Sequence, residues 1–347
     1  MAELSVIKTF SILPLFHSAT LQLCNSATFQ PLTMFKLILT RLLAAVPLLL
    51  ALSILTFGLV HLIPGSVAAI LLGEGATQEN IAKLEAELGL DQPLVQQYGR
   101  WLSGVTQGDW GRSLRSKRPI LEMISEKFPA TLSLTGSALL IAIVVGLFAG
   151  ILAAARPGTW WDRVGIAGTS LGISIPDFLA AVLLSIFFAA KLGWFPVIGF
   201  TPITQNPLKW LHGLVLPALA LGIPSSAIIA RQMRAALGNE LEKIYIRSLR
   251  AAGISERSIL LKHALKNALI PVVTVIGFQV PVLLGGSFVV EQVFAIPGLG
   301  SLIVNAVLQQ DLPLIQGLVL LTGLLIVLTN LLVDVSYAWL NPKVRVT

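Results

Sequence analysis

In this chain of 347 residues, 55% are hydrophobic and only 12% are charged, whereas about 25% of the residues of a soluble domain carry charge. The net charge of +7 is spread over short segments between apolar runs, so it indicates orientation in a membrane rather than nucleic-acid binding. The single cysteine, Cys24, excludes a disulfide framework and a cysteine-based metal site. We therefore predict an all-α polytopic membrane protein.

The N-terminal tail, residues 1–33, has several possible interpretations. Lys8 followed by an apolar run resembles a weak signal peptide, which would be absent from the mature protein. A disordered or interfacial tail is an alternative. Another alternative is that residues 1–33 are an upstream extension, because Met34 would itself be a natural first residue of the protein.

Six apolar runs follow, which we interpret as membrane spans. They occupy residues 37–63, 132–155, 164–190, 214–229, 269–290 and 314–340. Gly146 and Gly150 form a small-xxx-small pair that favours close helix packing, unless the spacing is due to chance. We divide the chain into the tail (1–33), a first span with an external segment (34–130) and a five-helix core (131–347).

Lysine and arginine are concentrated on one side of the spans, which predicts that both termini and the loop after the fourth span face the cytoplasm. Outside that loop, the residues on this side are Lys8, Lys36, Arg41, Arg156, Arg163, Lys343 and Arg345. The other side has Lys191 and Lys209 in one loop and no basic residue in the last loop. The charges of the long external segment are not counted in this assignment, because segments of its length cross the membrane largely regardless of charge.

That external segment, residues 66–129, is too patterned for a bare loop. Ile81, Leu84 and Leu88 recur at helical spacing. We predict an amphipathic helix at 76–90, a second helix at 95–105 and a tight turn at 108–111. A mini-domain that contacts a delivery protein and a packed cap with only a stabilising role are both open.

The most distinctive polar segment, residues 245–271, carries five basic residues and one acid. Residues 247–252 indicate a short helix that Gly253 ends in the left-handed conformation, with Ile254 making the hydrophobic contact that follows. Ser255 can then cap a second helix that continues into the fifth span. We predict a helix–Gly–helix elbow at the membrane surface.

The sequence contains no pattern for catalysis or nucleotide binding. It lacks GxxxxGK[ST] and HExxH, and its four histidines are scattered. An intramembrane enzyme is therefore disfavoured. If the protein does energy-driven work, another chain hydrolyses the ATP.

A few polar residues interrupt the spans. Asp177 follows a proline that predicts a kink, and it is either a pathway residue or a locally paired one. Gln279 and Ser287 are candidates for lining a polar pore, with helix packing as the alternative. The other acids lie near span ends and are Glu291, Asp311 and Asp334.

Five segments, in order between residues 34 and 346, resemble the permease subunits of bacterial ABC importers of the dipeptide/oligopeptide branch. They are RLLAAVPLLLALSILTFGLVHLIPG, LGLDQPLVQQYGRWLSGVTQGDWGRSL, YIRSLRAAGISERSILLKHALKNALIP, EQVFAIPGLGSLIVNAV and NLLVDVSYAWLNPKVR. The family's Glu-Ala-Ala triplet is replaced by Arg247-Ser248-Leu249, and its loop proline by Lys266. Ser66-Val67 stands where many relatives have Asp-Pro. The peptide branch tolerates basic residues at the first two points.

The resemblance implies that the elbow, within a loop at about 240–266, is a coupling helix in a groove of an ATPase subunit, with Gly253 setting its bend. The implied polar contacts come from Arg247, Arg250, Glu256 and Arg257. The implied packing contacts come from Leu249, Ala251 and Ile254. Alternatively, the arginines merely hold the loop inside and touch lipid headgroups.

The resemblance also implies six transmembrane helices in the bacterial inner membrane and four partner chains. These are a homologous second permease, two cytoplasmic ATPases that bind ATP and magnesium, and an extracytoplasmic substrate-binding protein. No cofactor on this chain is implied, and no nucleic acid. The implied cargo is a peptide or peptide-like solute, and the branch also carries nickel chelates, glutathione and sugars.

At the outer end of the fifth span, the resemblance implies a structured turn that includes Glu291, Pro297, Gly298 and Gly300. We interpret this turn either as a contact for the binding protein or as purely structural. The alternative function for the whole chain is an ATP-independent secondary carrier, which would be expected to place acids near the middle of the membrane.

Overall fold

The computed structural model describes residues 34–62, 68, 72 and 77–340, so the tail 1–33 and its alternative interpretations lie outside the described residues. Within these ranges the chain is helical, and a lone β-bridge joins Arg112 to Pro119. The helices, in chain order, are α1 Met34–Leu62, α2 Gln78–Leu88, α3 Leu94–Thr106, α4 Ile120–Ala155, α5 Trp160–Ser174, α6 Asp177–Leu184, α7 Pro207–Leu241, α8 Ile244–Ala251, α9 Glu256–Ser258, α10 Leu265–Val293, α11 Leu299–Leu308 and α12 Leu312–Leu340. Two π-helical turns, Ser185–Lys191 and Ile259–Ala264, extend α6 and link α9 to α10.

The centre of the fold is the close packing of α4 against α7. A methyl group on Gly146 would lie 2.8 Å from Cβ of Ile229, and one on Gly150 would lie 2.6 Å from Cβ of Met233. Only hydrogen at these positions allows the two backbones to approach so closely. The predicted small-xxx-small packing is confirmed.

Gly150→Leu is therefore expected to destabilise the protein, because the added side chain meets the backbone of α7 and cannot simply rotate away. Overpacking of this kind costs about 1–3 kcal/mol, and more where backbone must move. The matched control is Gly136→Leu on the same helix, since a β-carbon there has nothing within 4 Å. Thermal unfolding in detergent measures both variants, and equal midpoints would contradict this packing.

Four described helices are long and apolar enough to cross a membrane: α4, α7, the continuous stretch from Glu256 to Val293, and α12. The apolar run 164–190 is broken into α5 and α6, which meet at an angle of 96°, a sharper bend than the kink expected at Pro176. Ile175 is extended there, with ψ 118°, because the following Pro176 disfavours helical backbone. If the bent pair is one broken span, the count is five, and six spans remains a prediction.

Two spans extend well beyond their apolar runs. α4 begins at Ile120, twelve residues before the predicted start, and α7 covers Pro207–Leu241 instead of 214–229. Hydropathy marks only the part of a helix that matches hydrocarbon, whereas the helices continue past it into polar surroundings.

The helices predicted in the external segment are confirmed as α2 and α3. Thr77 caps α2 by accepting a hydrogen bond from the amide of Asn80 at 3.3 Å, and Gly89, with φ 66°, ends it. α3 lies on α1, where the hydroxyls of Tyr98 and Ser53 are 2.8 Å apart. This half of the segment therefore packs on the spans. The side chains of Leu84 and Leu88 lie outside the described residues.

Candidate coupling elbow and outer turn

The elbow has the predicted stop. Gly253 is left-handed, with φ 76°, and its amide donates to the carbonyl of Arg250 at 3.0 Å. The amide of Ile254 donates to the carbonyl of Leu249 at 3.2 Å, which completes a Schellman motif. The left-handed glycine is confirmed, although the helix it ends, α8, begins at Ile244 and not at residue 247.

The second half of the elbow begins at Ser255, but the predicted side-chain cap is wrong. The Ser255 hydroxyl makes no cap hydrogen bond, and its backbone carbonyl accepts from the amides of Ser258 and Ile259. The segment is exposed, so water can satisfy the first amides of the helix. From Glu256 the chain continues through the π-helical turn into α10 without a break.

Buried side chains join the elbow to the spans. Ile246 of α8 and Ile259 are fully buried, in one cluster with Met233 and Leu237 of α7. Leu249 and Ile254, predicted to pack on an ATPase, are partly buried against this cluster. Ala251 is exposed. A force on the elbow therefore acts directly on α7 and α10.

The charged side chains of the elbow are exposed. Arg250 donates to the carboxylate of Glu256 at 2.7 and 3.2 Å, so this pair braces the bend from one helix to the other. Arg247 and Arg257 are exposed, and no ion pair to them is found among the described residues. Two of the four predicted polar contacts are thus used within the elbow, and two are available to a partner.

Glu240 is a structural residue that the sequence did not reveal. It is buried at the end of α7 and accepts hydrogen bonds from the Tyr245 hydroxyl at 2.6 Å and the Asn267 amide at 2.9 Å. Lys243 lies 2.5 Å from its other oxygen. This network clamps α7, α8 and α10 together. The sequence feature that could have indicated this role is the position of Glu240, an acid at the end of a span and directly before the basic loop.

A cavity of about 520 Å³ lies between the elbow and the nearby ends of α4 and α7. Its charged lining residues are Arg234, Glu242, Arg250, Glu256 and Arg257. The elbow therefore packs on α7 through Ile246 and Ile259 but leaves this space open beside that contact.

A second contact on the same side as the elbow joins α5 to α7. Arg234 donates to both oxygens of Asp162, at 2.5 and 2.9 Å, and the amide of Gly158 donates to the same carboxylate at 3.0 Å. Asp162 is 4% exposed. The hydrogen bond from Arg234, helped by that from Gly158, lowers the pKa of Asp162 to about 2.

A lowered pKa means that the Asp162 carboxylate stabilises the folded state above its ordinary value of 3.8, and that this contribution is lost as the pH falls toward about 2. We expect Asp162→Asn to lower the midpoint of thermal unfolding by a few degrees at neutral pH. The variant should also lack the loss of stability that protonation of Asp162 causes at low pH. The exposed neighbour Arg163→Gln is the control. If the midpoint of thermal unfolding depended on pH in the same way in Asp162→Asn and in the unaltered protein, the stabilising role of the Asp162–Arg234 pair would be contradicted.

Glu291, predicted at the outer mouth, is fully buried. Its carboxylate accepts from the Thr131 hydroxyl at 2.6 Å and from the amides of Gly300 and Ser301 at 2.7 and 3.2 Å. Thr131 in turn accepts from the amide of Leu299 at 2.7 Å. Together they cap the start of α11 and fasten it to α4 and α10. Such a carboxylate offers no surface to a partner.

The glycines of this turn are structural, whereas its proline is exposed. A methyl group on Gly298 would lie 2.4 Å from the carboxyl carbon of Glu291, and one on Gly300 only 2.2 Å from Cα of Phe288. Pro297 and Ala295 are exposed, so another protein can reach this turn there.

Asp311 anchors the external segment to the turn between α11 and α12. Its carboxylate accepts from the Ser113 hydroxyl at 2.5 Å and from the amide of Leu114 at 3.0 Å. Arg115 donates to the carbonyl of Gln309 at 3.0 Å. From the sequence, Asp311 was identified only as an acid near the end of a span, and its contacts with the external segment were not predicted.

The predicted pore candidates have different surroundings. Ser287 is fully buried and donates to the carbonyl of Leu284 in its own helix, which fits helix packing. Gln279 is 5% exposed, and its side-chain oxygen has no partner among the described residues. Asp177 is half-buried beside Gly286. The side chain of Asp334 is outside the described residues.

Sequence comparison supplies the family. The model of the family described as "Binding-protein-dependent transport system inner membrane component" matches residues 146–346, and the model of its N-terminal region matches residues 34–135. A putative peptide transport system permease protein of Brucella abortus (strain 2308) is 43% identical over 312 residues, or 90% of this chain and 99% of that protein. The glutathione transport system permease protein GsiC of Salmonella paratyphi A matches with the same identity and coverage.

Structural comparison agrees on the fold. An inward-facing structure of the MetNI methionine ABC transporter aligns with a TM-score of 0.53 at 22% identity, covering 64% of this chain and 98% of the other. The predicted all-α membrane fold and the resemblance to peptide-type ABC importer permeases are confirmed. The chain belongs to the family of binding-protein-dependent transport system inner membrane components, the permease subunits of ABC importers.

Proposed function

We propose that this permease carries short peptides, glutathione-like peptides among them, into the cell by ATP-driven alternating access. The relatives named for peptide and glutathione transport support this cargo class. A peptide needs a path through the protein but no chemistry, which agrees with a sequence that has no catalytic pattern.

The observation that carries the proposal is the continuity of the elbow with α10. Ile246 and Ile259 bury the elbow's apolar side between α7 and α10, while Arg247 and Arg257 remain exposed. A short rigid helix fixed in this way converts movement of a docked ATPase into movement of the spans, as rigid-body switching requires. The cavity beside the elbow leaves it room to move.

The remaining components would be separate chains. We infer a homologous second permease, two ATPases that bind ATP and magnesium at the elbows, and an extracytoplasmic binding protein that delivers peptide near Pro297. The elbow and both termini would face the cytoplasm, in accordance with the distribution of lysine and arginine.

Uptake by proteoliposomes that contain the complete assembly tests the cargo. A dipeptide, a pentapeptide and glutathione, each radiolabelled, are supplied together with the extracytoplasmic binding protein of the assembly. We expect ATP-dependent accumulation of at least one of them. Transport of a sugar or a nickel chelate with none of the three would overturn the cargo class while leaving the family intact.

A further inference from the structure

Asp177 is an acid at the break in the third predicted span. It is the first residue of α6, directly after Pro176, and it is half-buried. No hydrogen bond or ion pair to its carboxylate is found among the described residues. An ionisable group in a membrane span is costly, so it normally has a partner or a function.

The carboxylate is not used as a cap for its own helix. The amides of Leu179 and Ala180 both donate to the carbonyl of Pro176, at 3.0 Å each, so the first turn is closed by backbone. The Asp177 side chain is directed at α10 instead. One of its oxygens lies only 2.7 Å from the point where a β-carbon of Gly286 would lie.

This contact is inside the membrane span. Gly286 lies seven residues before the end of α10 at Val293, which at 1.5 Å per residue is ~10 Å of helix. The hydrocarbon layer is about 30 Å thick, and α10 is long enough to cross it. Gly286 also lies inside the apolar run 269–290, so the carboxylate is beside the apolar part of this span, on the half that ends at Val293.

The carboxylate also lies beside an uncovered face of α10. Phe278, Val282 and Val289 recur at helical spacing and are 62%, 55% and 50% exposed. Gly285 lies on the same face, and a β-carbon there would have nothing within 4 Å. Because Gly286 is the next residue, Asp177 is at the edge of this face. A second permease that covered the face would enclose the carboxylate together with any passage between the subunits.

We propose that Asp177 is a cargo-binding residue that pairs with the ammonium group of a peptide during its passage, an inference that rests on the proposed peptide transport. The ammonium group is the one cation that all peptides with a free N-terminus share, and a carboxylate is its natural partner in a site of low polarity. Gly286 makes the position possible, since any larger residue would displace the side chain.

The first test compares Asp177→Asn with the unaltered protein in proteoliposomes that contain the complete assembly. A peptide with a free amine and its N-acetylated form are each supplied above their measured Kd for the binding protein. We expect Asp177→Asn to reduce uptake of the free-amine peptide at least about tenfold, so that it approaches the uptake rate of the N-acetylated peptide. ATPase activity in the absence of cargo should be unchanged. Asp177→Glu should restore much of the preference.

Three results would overturn the proposal. One is equal uptake of both peptides by the unaltered protein, and another is retention of the preference by Asp177→Asn. The third is loss of assembly or of cargo-free ATPase activity, which would mean that Asp177 pairs with the second permease. If the unaltered protein transported neither peptide, the proposed function itself would fail, which is a separate outcome.

A matched pair of glycines provides the second test. Gly286→Ala introduces a methyl group against the Asp177 carboxylate and should lower the preference for the free amine several-fold. Gly285→Ala adds the same group in open space and should leave the preference unchanged. Equal behaviour of the two variants would contradict the positioning by Gly286.

Discussion

Gly253→Val is expected to reduce ATP-driven uptake roughly tenfold while the chain still enters the membrane. The reason is conformation rather than space, because a β-carbon at Gly253 has nothing within 4 Å, whereas its φ of 76° is unfavourable for a side chain. A cost of ~1–2 kcal/mol lowers the equilibrium constant for forming the bent elbow by about this factor.

The control for this prediction is Gly253→Asn, since asparagine tolerates the left-handed conformation. It should keep most of the uptake although it is nearly as large as valine. ATPase activity and uptake are measured together, and the Val variant should hydrolyse ATP with little transport. If Val and Asn reduced uptake equally, size and not backbone conformation would be the cause, and the role assigned to the bend would be wrong.

Glu291→Ala should strongly destabilise the protein at the turn between α10 and α11. It removes the acceptor for the Thr131 hydroxyl and for the amides of Gly300 and Ser301, all of which are hydrogen-bonded to it. Each buried donor left unpaired costs about 1–3 kcal/mol, so a total loss of about 3 kcal/mol or more is expected. Glu291→Gln keeps one acceptor oxygen and should lose less.

The adjacent Gln292→Ala is the control, because Gln292 is exposed. The variants are compared by their midpoints of thermal unfolding in detergent. We expect the lowest midpoint for Glu291→Ala, an intermediate one for Glu291→Gln and an unchanged one for Gln292→Ala. Normal stability of Glu291→Ala together with loss of binding-protein-stimulated ATPase activity would instead favour a direct contact at the outer mouth.

Features governed by local rules were predictable from the sequence. Gly253 sits where a helix stop has a distinct signature, and Gly146 and Gly150 have the spacing of a close helix contact. Helices α2 and α3 followed from apolar spacing and stop residues. In each case the signal is local in sequence, a spacing or a stop residue, although the glycine pair makes its contact with the distant α7.

The missing features depend on contacts distant in sequence. Glu291 is 160 residues from Thr131, and Asp311 is 198 residues from Ser113, so no local pattern pairs them. Glu291 therefore resembled a surface acid, although it is a buried cap. The bend at Pro176 was expected only as a kink, because the sequence does not specify how far neighbouring helices turn the broken span.

Dependence of uptake on the ATPases tests the central claim most directly. Proteoliposomes are prepared with both permeases and binding protein, with and without the two ATPases, and radiolabelled peptide is supplied with ATP or under an imposed proton gradient. We expect accumulation only when the ATPases and hydrolysable ATP are present. Equal accumulation by the permeases alone, driven by the proton gradient, would contradict the account and identify a secondary carrier.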